Sequence, residues 1–264
     1  MNFVSPRRIA VRTLQTLGLN AIASDLYYRY FHGFDTPSPG LATGFERIFE
    51  AVAKLGSLRD GADYCEFGLF KGHSFWKAQQ EANRHGMTCR FFGFDSFAGL
   101  PDISDVDLTK HGEFRKGQYR CSRQDVIDNL NAAGGIDWRR TFLIPGYFEE
   151  ALTPHVVERY GIRKVGVAMI DCDLYSSTVE VLRFLRGLIG DGTVLIMDDW
   201  NCFGADDDRG QRRAMREFLE TQPHLRLEHL VSYGPNSESF VVRSATAAKG
   251  TARLKGRRAD GNLQ

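Results

Sequence analysis

The sequence predicts an α/β protein: a Rossmann-like sheet, mostly parallel, with a C-terminal antiparallel hairpin and an N-terminal helical extension. Two observations carry that expectation. From Ala62 onward, short apolar runs alternate with segments that are apolar at helical spacing, as in a parallel sheet covered by helices. The last two apolar runs are separated only by Tyr-Gly-Pro-Asn-Ser, too short for a crossover and suited to a hairpin.

Strands are expected at Asp63–Gly68, Arg90–Asp95, Thr141–Pro145, Val165–Asp171 and Thr193–Asp198, then at Leu225–Ser232 and Glu238–Val242. The intervening helices are expected at His73–Asn83, Arg123–Ala132, Glu149–Tyr160, Thr178–Leu188 and Gln211–Glu220. Upstream, Ile9, Leu14, Leu17, Ile22 and Leu26 recur at helical spacing between Arg7 and Tyr30. A second helix there has Phe45, Ile48, Phe49, Val52 and Leu55 on one face, with Gly56 suited to its end. The organisation expected is a helical extension over residues 1–58, one α/β domain over 59–243, and a disordered basic tail over 244–264.

At 264 residues and 42% hydrophobic content, the chain can bury a large core without disulfides. Its formal net charge of +1 provides no general attraction to nucleic acid or to an anionic membrane. Five cysteines at irregular spacing, with no CxxC, argue against a disulfide framework or a structural zinc site and point to a reducing cytoplasm. No apolar run is long enough to span a bilayer. The partner expected is a small molecule, and the N-terminal apolar face leaves room for a homo-oligomer.

Ligands of open parallel sheets bind outside the carboxyl ends of the strands. After the first strand comes Glu66-Phe-Gly68-Leu-Phe-Lys-Gly72-His-Ser74, where the glycines admit a ligand close to the backbone. The spacing is not GxGxxG, and the acidic Glu66 suits an amino-acid ammonium such as the methionine end of S-adenosylmethionine (SAM). The second strand ends in Asp95-Ser96, about 20 to 30 residues beyond the glycine loop, where a carboxylate can accept both hydroxyls of a ribose. The fourth and fifth strands end in Asp171-Cys172-Asp173 and Asp198-Asp199. Carboxylates gathered at one sheet edge repel unless a cation neutralises them, and an all-oxygen set suits Mg²⁺. Helix capping by Asp173 or Asp199, or an arginine partner from Gln211-Arg212-Arg213, are the competing readings.

The segments YCEFGLFKGHSFW, FFGFDSFAGLP, IPGYFEEAL, IDCDLYSSTVEVL and VLIMDDWNCFG…GQRRAMREF resemble, in order, the macrocin O-methyltransferase family, which includes sugar O-methyltransferases. The resemblance implies a class I SAM-methyltransferase fold that methylates a hydroxyl of a sugar or glycosylated metabolite with Mg²⁺. It places the metal on Asp171, Asp198 and Asp199, and the cofactor against Glu66, Gly68, Gly72, Ser74, Asp95, Ser96, Gly146 and Tyr147. Cys172 stands where a smaller residue is common, and the Asp206-Asp207-Asp208 run is a further departure.

Asp171 is the expected general base, with His73 and His111 as substitutes. The segment from Phe97 to Cys121 is long enough to be a lid, and its basic residues would suit an anionic acceptor. Two rival functions remain at this level. Asp171-Cys172-Asp173 is also the metal motif of nucleotide-sugar glycosyltransferases, and a non-catalytic Rossmann-like binding module is the other, though it has little need for a carboxylate cluster. A catechol-type O-methyltransferase, a closer variant, would use similar carboxylates.

Overall fold

The computed structural model describes residues 34, 40–108 and 114–245. The helix expected between Arg7 and Tyr30, His111, and the basic tail beyond residue 245 lie outside the described residues. Among the described residues seven strands form one sheet: β1 (Asp63–Phe67), β2 (Phe91–Asp95), β3 (Thr141–Pro145), β4 (Val165–Ile170), β5 (Val194–Met197), β6 (Leu225–Tyr233) and β7 (Ser237–Ser244). Their order is β3-β2-β1-β4-β5-β7-β6, parallel from β3 to β5 and antiparallel from β5 outward. The expected mixed sheet is therefore present, and β7 runs to Ser244, into the stretch expected as tail.

The α-helices of the described residues are α1 (Leu41–Leu55), α2 (His73–Arg84), α3 (Arg123–Ala133), α4 (Phe148–Ala151), α5 (Pro154–Tyr160), α6 (Tyr175–Leu185) and α7 (Gly210–Glu220). One helix expected over Glu149–Tyr160 is in fact two. Pro154 lacks the N–H an uninterrupted helix would use and would clash with the preceding turn. It serves instead as the first residue of α5, behind Thr153. The short α4 left upstream brings Phe148, Glu149 and Glu150 to the cavity described below.

β1 and β4 are buried along their whole length, as central parallel strands must be when helices cover both faces. Alternation sends Tyr64 to one face, where it meets Phe49, Phe75 and Phe91, and Cys65 and Phe67 to the other. Helix α1 belongs to the first face: Phe45, Ile48, Phe49 and Val52 are fully buried, and Gly56 ends it in the left-handed conformation. At the amino end of the sheet, Arg90 grips buried Asp63 with two hydrogen bonds of 2.9 and 2.7 Å and also donates to the carbonyls of Tyr160 and Gly161. Structural charge thus sits at one end of the sheet and the unusual carboxylates at the other.

The chain runs β1-β2-β3 towards one edge, then returns to place β4 and β5 on the far side of β1. The crevice of such a fold opens at that reversal, above the carboxyl ends of β1 and β4. Here the two strand ends are pressed together. Asp171 N–H donates to Phe67 O at 2.9 Å, and a Cβ at Gly68 would lie 1.8 Å from Asp171 O. Gly68 also has φ +90°, so only glycine fits both the conformation and the space.

Candidate active site

A cavity of about 440 Å³ lies above these strand ends. Gly68, Asp95, Ser96, Gly146, Tyr147, Asp171, Asp198 and Asp199, eight of the residues singled out by sequence, line it together. Glu66, Gly72 and Ser74 do not line it. Gly72 begins α2 with φ +89° and faces Val126 and Leu130. His73 packs against Phe34 and Trp76, and it too is absent from the wall.

Glu66 is fully buried beneath the wall. One carboxylate oxygen accepts from Ser74 Oγ at 2.6 Å and the other from the Tyr64 hydroxyl. Burial pushes its pKa up to about 8, although both hydrogen bonds pull the other way. The neutral acid is therefore the form the fold favours. The stability this contributes is fully present below the unfolded pKa of about 4.3 and is lost as pH rises through about 8. Glu66→Gln, which cannot ionise, is expected to melt above the parent protein at pH 9 and level with it at pH 5. An equal difference in melting temperature at both pH values would show that Glu66 is not buried as the neutral acid.

Asp95 ends β2 and ties the glycine loop: one oxygen accepts from the N–H of Leu69 at 2.7 Å and Phe70 at 3.2 Å, the other from Phe97 at 2.6 Å. Gly146 N–H donates to Asp95 O at 3.0 Å, bringing the end of β3 alongside. Ser96 Oγ closes the next turn onto Gly99 O at 2.8 Å.

Asp171, Asp198 and Asp199 each present an oxygen within 4.8 Å of the others. Burial and mutual repulsion hold Asp171 well above the usual carboxylate range, and they raise Asp199 to about 7. Asp198 is also raised by burial, against the pull of hydrogen bonds from Ser237 and Tyr233. Both hydroxyls donate to the same Asp198 oxygen at 2.9 Å, leaving the second oxygen for the cluster. Asp199 caps no helix; it accepts from Asp173 N–H at 2.8 Å and Cys202 Sγ at 3.3 Å, holding the turn in which Asp173 has φ +59°. Gln211 braces both strand ends, accepting from Asp199 N–H and donating to Ile170 O.

The competing readings of these carboxylates do not fit. Arg212 pairs with Asp207 and Arg213 with Glu217, and among the described residues no Lys, Arg or His pairs with Asp171, Asp198 or Asp199. Asp173 does not cap α6. That role falls to buried Asp107, from the segment after β2, whose Oδ1 accepts from Tyr175 N–H at 2.6 Å. This cap explains why α6 begins at Tyr175, ahead of the expected Thr178. The all-oxygen, acid-only donor set therefore fits a hard divalent cation, for which Mg²⁺ takes oxygens at about 2.0–2.1 Å.

The chain matches the family model described as Macrocin-O-methyltransferase (TylF) over residues 11–224. It belongs to the macrocin O-methyltransferase family. Two curated proteins are similar. One is the 8-demethyl-8-(2,3-dimethoxy-alpha-L-rhamnosyl)-tetracenomycin-C 4'-O-methyltransferase of Streptomyces olivaceus, 29% identical over 54% of this chain and 55% of that protein. The other is the mycinamicin III 3''-O-methyltransferase of Micromonospora griseorubida, 29% identical over 62% of this chain and 63% of that protein. This member thus spans little more than half the length of the curated relatives it matches. The O-methyltransferase NovP has the same fold, with a TM-score of 0.62 at 20% identity over 77% of this chain and 79% of NovP. The calicheamicin methyltransferase CalS11 follows, with a TM-score of 0.58 at 19% identity over 90% of this chain and 93% of CalS11. The expected class I SAM-methyltransferase fold is therefore present in this family member.

Tyr233, Ser237, Gln211 and Asp107 were not singled out by sequence. Tyr233 and Ser237 flank the hairpin turn, where turn chemistry accounted for them. Only the register of β7 against β5 puts them beside Asp198.

Proposed function

We propose that this protein is a SAM-dependent O-methyltransferase, assisted by a divalent cation such as Mg²⁺, acting on a hydroxyl of a sugar or glycosylated small molecule. The observation that carries the reading is the shared cavity, with Gly68, Asp95 and Gly146 on its wall together with the three clustered aspartates. Membership of the macrocin O-methyltransferase family supports the chemistry, and the names of the two curated relatives support a glycosylated acceptor.

When bound, SAM supplies an electrophilic methyl group, and the cation supplies positive charge that favours ionisation of the acceptor hydroxyl. The remaining work falls to the chain. Asp95 would orient the ribose, the glycine loop and Gly146 would admit the cofactor against bare backbone, and Tyr147 would border it. Asp198 and Asp199 would hold the cation, with Tyr233 and Ser237 binding one Asp198 oxygen and so aiming the other at the cluster. Asp171, whose oxygen belongs to the same cluster, would accept the hydroxyl proton. No hydrogen bond from a described residue occupies its carboxylate, so it is available to do so. No helix of the described residues is long and apolar enough to cross a membrane, in keeping with a small-molecule acceptor met in solution.

The test is SAM consumption across a panel of free sugars, glycosides and phenolic diols, each with Mg²⁺ and with chelator. Turnover on a glycoside that chelator removes is the expected result. Turnover indifferent to chelator would overturn the cation's role; preference for phenolic diols would overturn the acceptor class. Calorimetric binding of a UDP-sugar in place of SAM would overturn the reading altogether.

A further inference from the structure

The segment between β2 and α3 forms one wall of the cavity through Gly99, Leu100, Pro101, Asp102 and Ser104, and again through Lys116 and Tyr119. Length and charge suggest a loose basic flap, but its described parts are anchored. Leu100 N–H donates to Gln118 O, and Gly117 N–H to Leu100 O, both at 2.9 Å, pinning its two limbs together. Lys116, the one basic side chain on the wall among the described residues, is paired with Asp102 at 2.7 Å. Arg209 reaches across from the start of α7 to Leu108 O at 2.8 Å.

The central anchor is Asp107, which lies in a short 3₁₀ turn (Asp105–Asp107) and is 1% exposed, flanked by exposed Val106 and Leu108. A charged residue buried between two exposed apolar ones reverses the usual preference, so its placement calls for partners. It has them. Oδ1 accepts from Tyr175 N–H at 2.6 Å, Ser176 N–H lies 3.4 Å from both oxygens, and Oδ2 accepts from Ser104 Oγ at 2.6 Å. Tyr175 and Ser176 open α6, directly after the Asp171–Asp173 turn, and Ser176 itself lines the cavity. The N-terminal N–H groups of α6 have no side-chain cap of their own, and an anion is favoured there.

We propose that Asp107 is a positioning residue: it locks the cavity wall carried by Gly99–Ser104 to the start of α6, and so fixes the acceptor's side of the cavity relative to Asp171. The proposal rests on the methyltransferase reading for its kinetic consequence but not for its mechanical one. The wall and the carboxylates come from different crossovers; Asp107 joins the wall by side-chain hydrogen bonds to the crossover of Asp171, as Arg209 joins it to that of Asp198 and Asp199. Asn at this position keeps an oxygen for Tyr175 N–H and an amide that Ser104 Oγ can accept; Ala keeps neither.

The experiment compares Asp107→Ala and Asp107→Asn with the parent protein. Trypsin cleavage after Arg115, Lys116 and Arg120 under native conditions is expected to quicken at least 10-fold in Asp107→Ala and less than 3-fold in Asp107→Asn. SAM affinity by calorimetry should stay within 3-fold in both. With the acceptor found in the panel above, Asp107→Ala should raise acceptor KM at least 10-fold while kcat changes less than 3-fold, and Asp107→Asn should restore KM. Cleavage in Asp107→Ala at the parent rate would overturn the lock. So would a fall in kcat with acceptor KM unchanged, which marks a loss of folded protein only. If the parent protein methylates nothing in the panel, the functional reading fails while the cleavage rates still decide the lock.

Discussion

Asp171→Asn is expected to lower kcat for methyl transfer by about 10²–10⁴-fold, the usual range for removing a general base, while the metal-free protein becomes more stable at pH 8. The two effects share one cause. Asp171 is held well above the usual carboxylate range by burial first and by its neighbours Asp198 and Asp199 next. A carboxylate raised in the folded state adds stability that is complete below its unfolded pKa and is lost as pH rises through the folded one. For Asp199 that loss extends to about pH 7. At pH 8 the unfolded chain has all three carboxylates ionised while the metal-free fold holds them under burial and mutual repulsion, so stability is lower than at pH 5, and Asn removes one of these groups without changing shape. Each unit of pKa so relieved is worth about 1.4 kcal/mol, or about 2–4 °C in Tm per kcal/mol for a chain of this size. Melting curves at pH 5 and pH 8, with chelator and with Mg²⁺, check the claim. Mg²⁺ should raise the melting temperature of the parent more at pH 8 than at pH 5, and raise that of Asp171→Asn less. Near-normal turnover by Asp171→Asn would remove the base role, and a variant less stable at pH 8 would remove the electrostatic account.

Gly68→Ala is expected to destabilise the fold by about 3 kcal/mol or more and to abolish SAM binding. A side chain at φ +90° costs about 1–2 kcal/mol for the backbone conformation alone. The added Cβ would also lie 1.8 Å from Asp171 O, a contact with backbone that no rotamer can relieve. Overpacking of this kind adds roughly 1–3 kcal/mol, and relief requires β1 and β4 to part where Asp171 N–H bonds Phe67 O. Gly61→Ala is the control. Gly61 has φ +75°, but nothing lies within 4 Å of its added Cβ, so it should pay only the conformational part and leave SAM affinity intact. Equal losses for the two variants would mean that the close approach at Gly68 is unimportant.

The sheet was legible because most of its parallel strands are largely apolar on both faces and bounded by turns, and the order of the chemistry followed from where strands end. Asp95, Asp171, Asp198 and Asp199 were visible for that reason. Glu66 was visible as a residue but not as a buried one; the spacing that puts it near the glycine loop says nothing of Tyr64 and Ser74 closing over it. The break at Pro154 was in the sequence, but the helical spacing on either side outweighed it. Asp107, Tyr233, Ser237 and Gln211 act through partners 12 to 68 positions away, and no local pattern carries such pairings.

The orientation of Asp198 has a consequence in time. The two hydroxyls that hold it come from the hairpin, 35 and 39 residues further along the chain. The chain emerges from its N-terminus during synthesis at about 5–20 residues per second. The glycine loop, Asp95 and the aspartates all emerge before the groups that aim Asp198, and β7 must insert between β5 and β6 to bring them there. The alignment of Asp198 is thus completed only after the parallel strands have emerged, and a nascent chain that has not yet paired β7 carries the carboxylates without it.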